Sequence, residues 1–164
     1  MNLKILFLLA FLILPALKAS AQQKEFVGYR HKGVVYGETL PNGARDLGGG
    51  LLSDENYGVS RFSKGKKQML WLEKMISRDK KGVPNWEVLD VLVIDNFKKN
   101  QEFLFSYAST CTANGEDDLD LIVRAEFQPV EKIYKVLEAW RADLLSEKFA
   151  AVSIEGIKCE YIEP

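Results

Sequence analysis

Lys67 to Phe97 reads KQMLWLEKMISRDKKGVPNWEVLDVLVIDNF, and the fold turns on this stretch. Two apolar runs flank a polar break, Asp79-Lys80-Lys81-Gly82-Val83-Pro84. Val88 to Ile94 is rich in β-branched residues and about the length of a strand, which disfavours a helix. The stretch therefore predicts a β-hairpin with a loop of a few residues, Gly82 supplying any positive φ. Centring the turn on Gly82 sets Lys74 opposite Asp90, Arg78 opposite Trp86, Leu72 opposite Leu92 and Ile76 opposite Val88. The other face then pairs Trp71 with Val93, Glu73 with Val91 and Met75 with Leu89. Apolar pairs on both faces place this hairpin centrally in a sheet, covered on both sides. Trp71, Trp86, Glu73 and Asp90 make a possible ligand face, of a kind that binds sugars or works by acid–base chemistry. Cross-strand packing accounts for the same residues, because aromatic and charged pairs are common in sheets.

Ahead of this hairpin, residues 1–21 carry the pattern of a secretory signal peptide. Lys4 supplies the charged start, Ile5 to Leu14 is an unbroken apolar run, Pro15 ends it, and Ala19-Ser20-Ala21 suits cleavage. The run is too short to span a bilayer comfortably, and no second apolar span follows. The expectation is an exported protein, periplasmic or extracellular, with no membrane span after cleavage. Of 164 residues, 143 then remain, enough for one domain with its own core. Losing Lys4 and Lys18 with the leader leaves 20 basic and 23 acidic residues, a net charge of −3. That balance offers no basic footprint for nucleic acid. Lys64-Gly65-Lys66-Lys67 and Lys98-Lys99 read as solvated turn ends.

The two cysteines, Cys111 and Cys159, predict one disulfide in an oxidising compartment.

Residues 22–65 hold nine of the twelve glycines and read as a glycine-rich segment packing on the main domain of residues 66–164. Strand-like pieces occur at Phe26–Arg30, Val34–Tyr36 and Tyr57–Phe62, with a turn at Leu40-Pro41-Asn42-Gly43. Arg45 to Leu52, with its triple glycine, reads as a long irregular loop. It lacks the Gly-Lys-Ser/Thr ending of a phosphate-binding loop. Further on, Gln101 to Thr112 predicts a third strand with Phe103, Phe105, Tyr107 and Cys111 on one face. Asn114-Gly115 marks a tight turn, and Asp118 to Phe127 alternates as a fourth strand with one wet face.

Residues 130–148 stay open between a helix and a further hairpin. Val130, Ile133, Leu137, Trp140 and Leu144 fall near helical spacing. As a strand, the same piece puts Tyr134, Val136, Trp140 and Ala142 on one face and turns near Leu145-Ser146-Glu147. Ala151 to Tyr161 reads as one or two strands, broken at Gly156.

Blocks at Trp71-Leu72-Glu73-Lys74, Trp86-Glu87-Val88-Leu89-Asp90-Val91-Leu92, Ala139-Trp140-Arg141-Ala142 and Gly156-Ile157-Lys158-Cys159-Glu160 resemble small exported bacterial proteins of uncharacterised function. The resemblance implies a turn and strand after Ala-Trp-Arg, which tilts 130–152 towards a hairpin. It implies no catalytic residue.

His31 is the one histidine, so multi-histidine metal centres are excluded and any triad must use it. Between Arg30 and Lys32 it reads as an exposed strand end with lowered basicity. Glu116, Asp117, Asp118 and Asp120 cluster, but off the spacing of a calcium loop. Glu73 with Glu87 or Asp90 are candidate carboxylate pairs for glycoside hydrolysis, at a separation the sequence does not specify. No metal site, cofactor or nucleophile–base set is indicated. The expectation is a mainly β protein, one antiparallel meander closed into a small barrel or sandwich. Its expected role is non-enzymatic binding of a small ligand or an envelope partner. The alternatives are a carboxylate-dependent hydrolase and a purely structural envelope protein.

Overall fold

The computed structural model describes residues 25–33, 36–105 and 110–160. The leader expected over residues 1–21 lies outside them, as do Val34, Val35 and Tyr107. Within the described residues the chain is mainly antiparallel β, in two curled sheets, as the alternation of apolar and polar residues predicted, although the strand expected at Phe26–Arg30 begins only at Arg30. No helix among them is long and apolar enough to cross a membrane.

The first sheet contains β1 (Arg30–Lys32), β2 (Arg45–Leu51), β3 (Tyr57–Lys64), β4 (Lys67–Arg78) and β5 (Pro84–Ile94), in the order β1-β5-β4-β3-β2. The second contains β6 (Gln101–Phe105), β7 (Thr110–Ala113), β8 (Glu116–Asp117), β9 (Leu121–Gln128), β10 (Ile133–Asp143), β11 (Lys148–Ala151) and β12 (Ile157–Glu160). Its order is β6-β9-β10-β12-β7-β8, with β11 also on β10.

The β4–β5 hairpin lies inside its sheet, flanked by β3 and β1. Its register differs from the one centred on Gly82. Trp71 faces Val91 and Leu72 faces Asp90, a two-residue slide from the expected pairs. Asp79 is the cause. Its carboxylate accepts from the Lys81 and Val83 amides, and its own amide donates to the Val83 carbonyl. This closes a five-residue loop centred one position earlier, with Gly82 at φ 81°. The predicted Lys74–Asp90 and Arg78–Trp86 pairs therefore do not form. Lys74 bonds Glu147, and Arg78 donates to the Gly82 carbonyl.

Bulges at Leu89 and Ile76 then change which face each side chain takes. Val88 and Val91 both enter one core, with Phe26, Leu40, Ala44, Phe62, Met69 and Trp71. Leu89, Leu92 and Ile94 turn to the opposite face. There they meet Leu70, Leu72, Phe103, Ile122, Trp140 and Ala142 in a core shared by the two sheets. A third core lies on the far side of the second sheet, built on Leu121, Val123, Ala125, Ala139 and the cysteine pair.

Three sequence readings change. Arg45–Leu52 is largely strand β2, not an irregular loop, because a bulge between Asp46 and Gly49 absorbs Gly48 at φ 89°. A Cβ at Gly49 would collide with the Val59 carbonyl oxygen, so the close approach of β2 to β3 requires glycine there. Gln101–Thr112 is two strands, not one: β6 pairs with β9 and β7 with β12. Phe103 and Phe105 face the shared core, whereas Cys111 faces the far one. The fourth strand begins at Leu121, and Leu119 is exposed.

Residues 133–151 form the hairpin β10–β11 rather than a helix, turning through Glu147 at φ 55°. The helical spacing marks no common face here: Val130 and Ile133 are exposed, and a bulge between Val136 and Glu138 switches the faces of the strand. Tyr134 and Val136 pack on the far core, and Trp140 and Ala142 on the shared one.

Cys111 and Cys159 are direct cross-strand partners and form the disulfide, with Cα atoms 4.0 Å apart. The bond closes a separation of 48 residues. Loop entropy alone values such a closure at about 4 kcal/mol. Replacing both cysteines by alanine is expected to lower unfolding stability by up to about 4 kcal/mol in urea titration. Native protein should titrate no thiol until reduced, and two reactive thiols in freshly purified protein would contradict the bond.

Candidate functional site

Where β1 and β2 curl towards each other, the first sheet leaves a cleft of about 580 Å³. Its walls are Gly33 at the end of β1, Gly48 to Leu51 of β2, and Lys81 to Pro84 of the hairpin turn. Its floor holds His31, Asp46, Ser60, Glu73 and Trp86, with Tyr36 at the rim. Gly48 to Gly50 and Gly58 line it, and the benzo edge of Trp86 lies beside Gly58, within 3.7 Å of where a Cβ would stand.

Strand parity delivers each floor residue. His31 is the direct partner of Trp86 across β1–β5, so both point inward while Arg30 and Lys32 point out. Outside, those two pair with Glu87 and Asp79. Glu73 follows Met69 and Trp71 at strand spacing on β4, and Ser60 sits opposite Trp71. The His31 side chain is 4% exposed and that of Glu73 2%.

The polar contacts form a closed chain. His31 Nε2 lies 2.7 Å from Glu73 Oε1, and Nδ1 lies 2.7 Å from the Lys32 carbonyl oxygen. The Ser60 hydroxyl donates to Glu73 Oε2 at 2.6 Å. A carbonyl only accepts, so Nδ1 carries a proton; Nε2 shares the second with the carboxylate. Burial lowers the His31 pKa, but the Glu73 hydrogen bond and charge, the Lys32 carbonyl and the Asp46 charge outweigh it. The net effect is a raised pKa, which favours the charged ring. Aromatic rings enclose this imidazolium: Tyr29 at 5.9 Å, Trp71 at 5.9 Å and Phe62 at 6.1 Å between centroids.

Asp46 is the other buried acid, 6% exposed. Oδ1 accepts from the Gly48 amide at 2.6 Å. Burial, together with the Glu38 charge, pushes its carboxyl up more than the Gly48 amide and the His31 and Arg61 charges pull it down.

The four residues expected to form a ligand face are divided. Glu73 and Trp86 line the cleft. Trp71 is fully buried behind it, packed at a tilt on Phe62 with ring centroids 4.0 Å apart. Asp90 is on the other side of the sheet, where it accepts from the Phe149 amide. Glu87 is on the outer face with Arg30. Neither Glu87 nor Asp90 therefore shares a cleft with Glu73.

His31 is a clear departure from its reading as an exposed, weakened base. Alternation in Tyr29-Arg30-His31-Lys32 was the available signal, since outward cations on either side imply an inward histidine. Asp46 carried no such signal, because the bulge beside it breaks the alternation. In the acidic cluster, Asp118 pairs with Arg141 and Asp120 accepts from Ser53. No group of metal-holding residues occurs among the described residues. No protein-family model, no curated protein and no solved structure matches this chain.

Breaking one partner of a buried ion pair costs about 3–5 kcal/mol. Glu73→Gln is expected to lose that amount below about pH 6.5. A histidine with a raised folded pKa contributes stability that is complete below its unfolded value of 6.5 and is lost as pH rises through the folded value. The melting-temperature gap between wild type and Glu73→Gln should therefore be widest below 6.5 and narrow as pH rises. Calorimetry kept above about pH 5.5, where ordinary carboxylates stay ionised, measures it. A gap that widens with pH would contradict the ion pair.

Proposed function

We propose that this is an exported, non-enzymatic protein that holds a small ligand in the cleft between β1 and β2. The carrying observation is a preformed cleft of ligand size whose imidazole is tied up by its neighbours. Both His31 nitrogens are engaged, one by the Lys32 carbonyl and one by Glu73, so neither is free to take a proton from a ligand. Ser60 gives its hydroxyl proton to Glu73 and not to His31, an order that does not activate a serine. A ring locked this way positions the floor. The Cys111–Cys159 bond supports export, because disulfides persist in oxidising compartments. The expected leader supports it as well.

One observation favours the hydrolase alternative. Asp46, with its raised pKa, and Glu73 line the same cleft, as an acid and its partner carboxylate do in glycoside hydrolysis. Against it, both Glu73 oxygens already accept hydrogen bonds, which weakens the group as nucleophile or base.

A thermal-shift and NMR screen of small neutral, cationic and anionic molecules tests the binding role. Leu51, exposed on the cleft wall, serves as the control site: Leu51→Trp should fill the mouth without disturbing the core. Compounds that raise the melting temperature of wild type but not of Leu51→Trp support the cleft. If no compound moves a cleft resonance, or if Leu51→Trp responds equally, the role is refuted. Turnover of chromogenic glycosides that Asp46→Asn abolishes would establish the hydrolase instead.

A further inference from the structure

The polar protons of His31, Ser60 and the Gly48 amide are already assigned, and their distribution narrows what the cleft accepts. Both N–H groups of His31 are committed, one to the Lys32 carbonyl and one to Glu73. The Ser60 hydroxyl is committed to Glu73. The Gly48 amide is committed to Asp46 Oδ1. Acceptors remain: Asp46 Oδ2, which no hydrogen bond among the described residues occupies, and the lone pairs of Ser60 Oγ. Charge points the same way. The His31–Glu73 pair holds one positive and one negative charge, so Asp46 leaves the floor net negative. Lys81 is the one other basic residue of the lining, and it is exposed on the turn at the mouth.

Resting on the cleft reading above, we propose that the ligand is a small organic cation, a primary amine or guanidinium. Its N–H groups bond Asp46 Oδ2, and its apolar body lies along Trp86 and Tyr36. Apart from the Trp86 indole N–H, an anion would find no uncommitted donor among these floor side chains and would meet a buried carboxylate. A neutral alcohol satisfies the acceptor but leaves the buried charge uncompensated, which is the costly part. Aromatic walls suit a cation on the same grounds, through attraction to the ring faces. Burial above all raises the pKa of Asp46, against the His31 and Arg61 charges, and a bound ammonium would offset that cost.

Three probes sharing one ring separate charge from shape: benzylammonium, benzyl alcohol and benzoate. Each is titrated into isotopically labelled wild type and Asp46→Asn, following the Trp86 indole N–H and the Asp46 side-chain carboxyl. Asparagine keeps the acceptor for Gly48 and removes the buried charge, so its melting temperature should equal or exceed that of wild type. Benzylammonium should bind wild type with a dissociation constant on the order of a millimolar, as suits so small a ligand. It should bind about tenfold or more weakly to Asp46→Asn, the worth of one hydrogen bond to a charged group. The Asp46 carboxyl should titrate at lower pH in the complex. If benzyl alcohol or benzoate binds the cleft as tightly, or Asp46→Asn keeps full affinity, the cation assignment fails while the cleft remains a ligand site. If no probe shifts a cleft resonance, the cation assignment also fails, and the wider screen with Leu51→Trp then judges the cleft itself.

Discussion

Strand β4 is buried on both of its faces, and the rest of the molecule is arranged to satisfy that demand. Met69 and Trp71 need one apolar partner layer, and Leu70 and Leu72 need another on the opposite side. The curled first sheet and its N-terminal segment supply the former through Phe26, Leu40 and Phe62. The second sheet supplies the latter through Phe103, Ile122 and Trp140. A strand with two oily faces cannot stand at a surface, so two sheets follow from one strand. Bulges in β5 and β10 let each hairpin contribute to two cores at once.

The same constraint explains why charge sits so deep. Glu73 occupies the inward position after Trp71, where an apolar residue would continue the pattern. A lone carboxylate there would be prohibitive. His31 and Ser60 share its charge, and the aromatic ring of Tyr29, Phe62 and Trp71 holds the imidazole in place. Buried ion pairs of this kind add little net stability compared with apolar packing, so stability is a poor reason to keep one. Its position on the floor of a cleft suits a pair that shapes a binding surface. Asp46 lies beside it with no comparable partner, a local imbalance of the sort that functional sites carry.

How much of this was legible depends on the residue. The hairpin, its central place and the disulfide were readable, because alternation, a glycine turn and an even cysteine count are local signals. The register was not, since Asp79 decides it through its own side chain rather than through the glycine beside it. For the expected ligand face, parity grouped Trp71 with Glu73 correctly, but Trp71 lies one layer behind the cleft. Trp86 and Glu73 reach the cleft because the sheet curls around the space above them.

Composition and periodicity determined that this chain is an antiparallel β protein with a double-faced central hairpin and one cross-strand disulfide. Those properties depend on neighbours two residues apart or on matching counts, which a linear sequence displays. Tertiary structure alone decided that His31 meets Glu73 across 42 residues, and that Asp46 joins them in one cleft. Bulges at Leu89, Ile76 and Gly48 set which face each side chain takes. A bulge depends on what both strands must bury, so its position is known only once the sheets have closed around their cores.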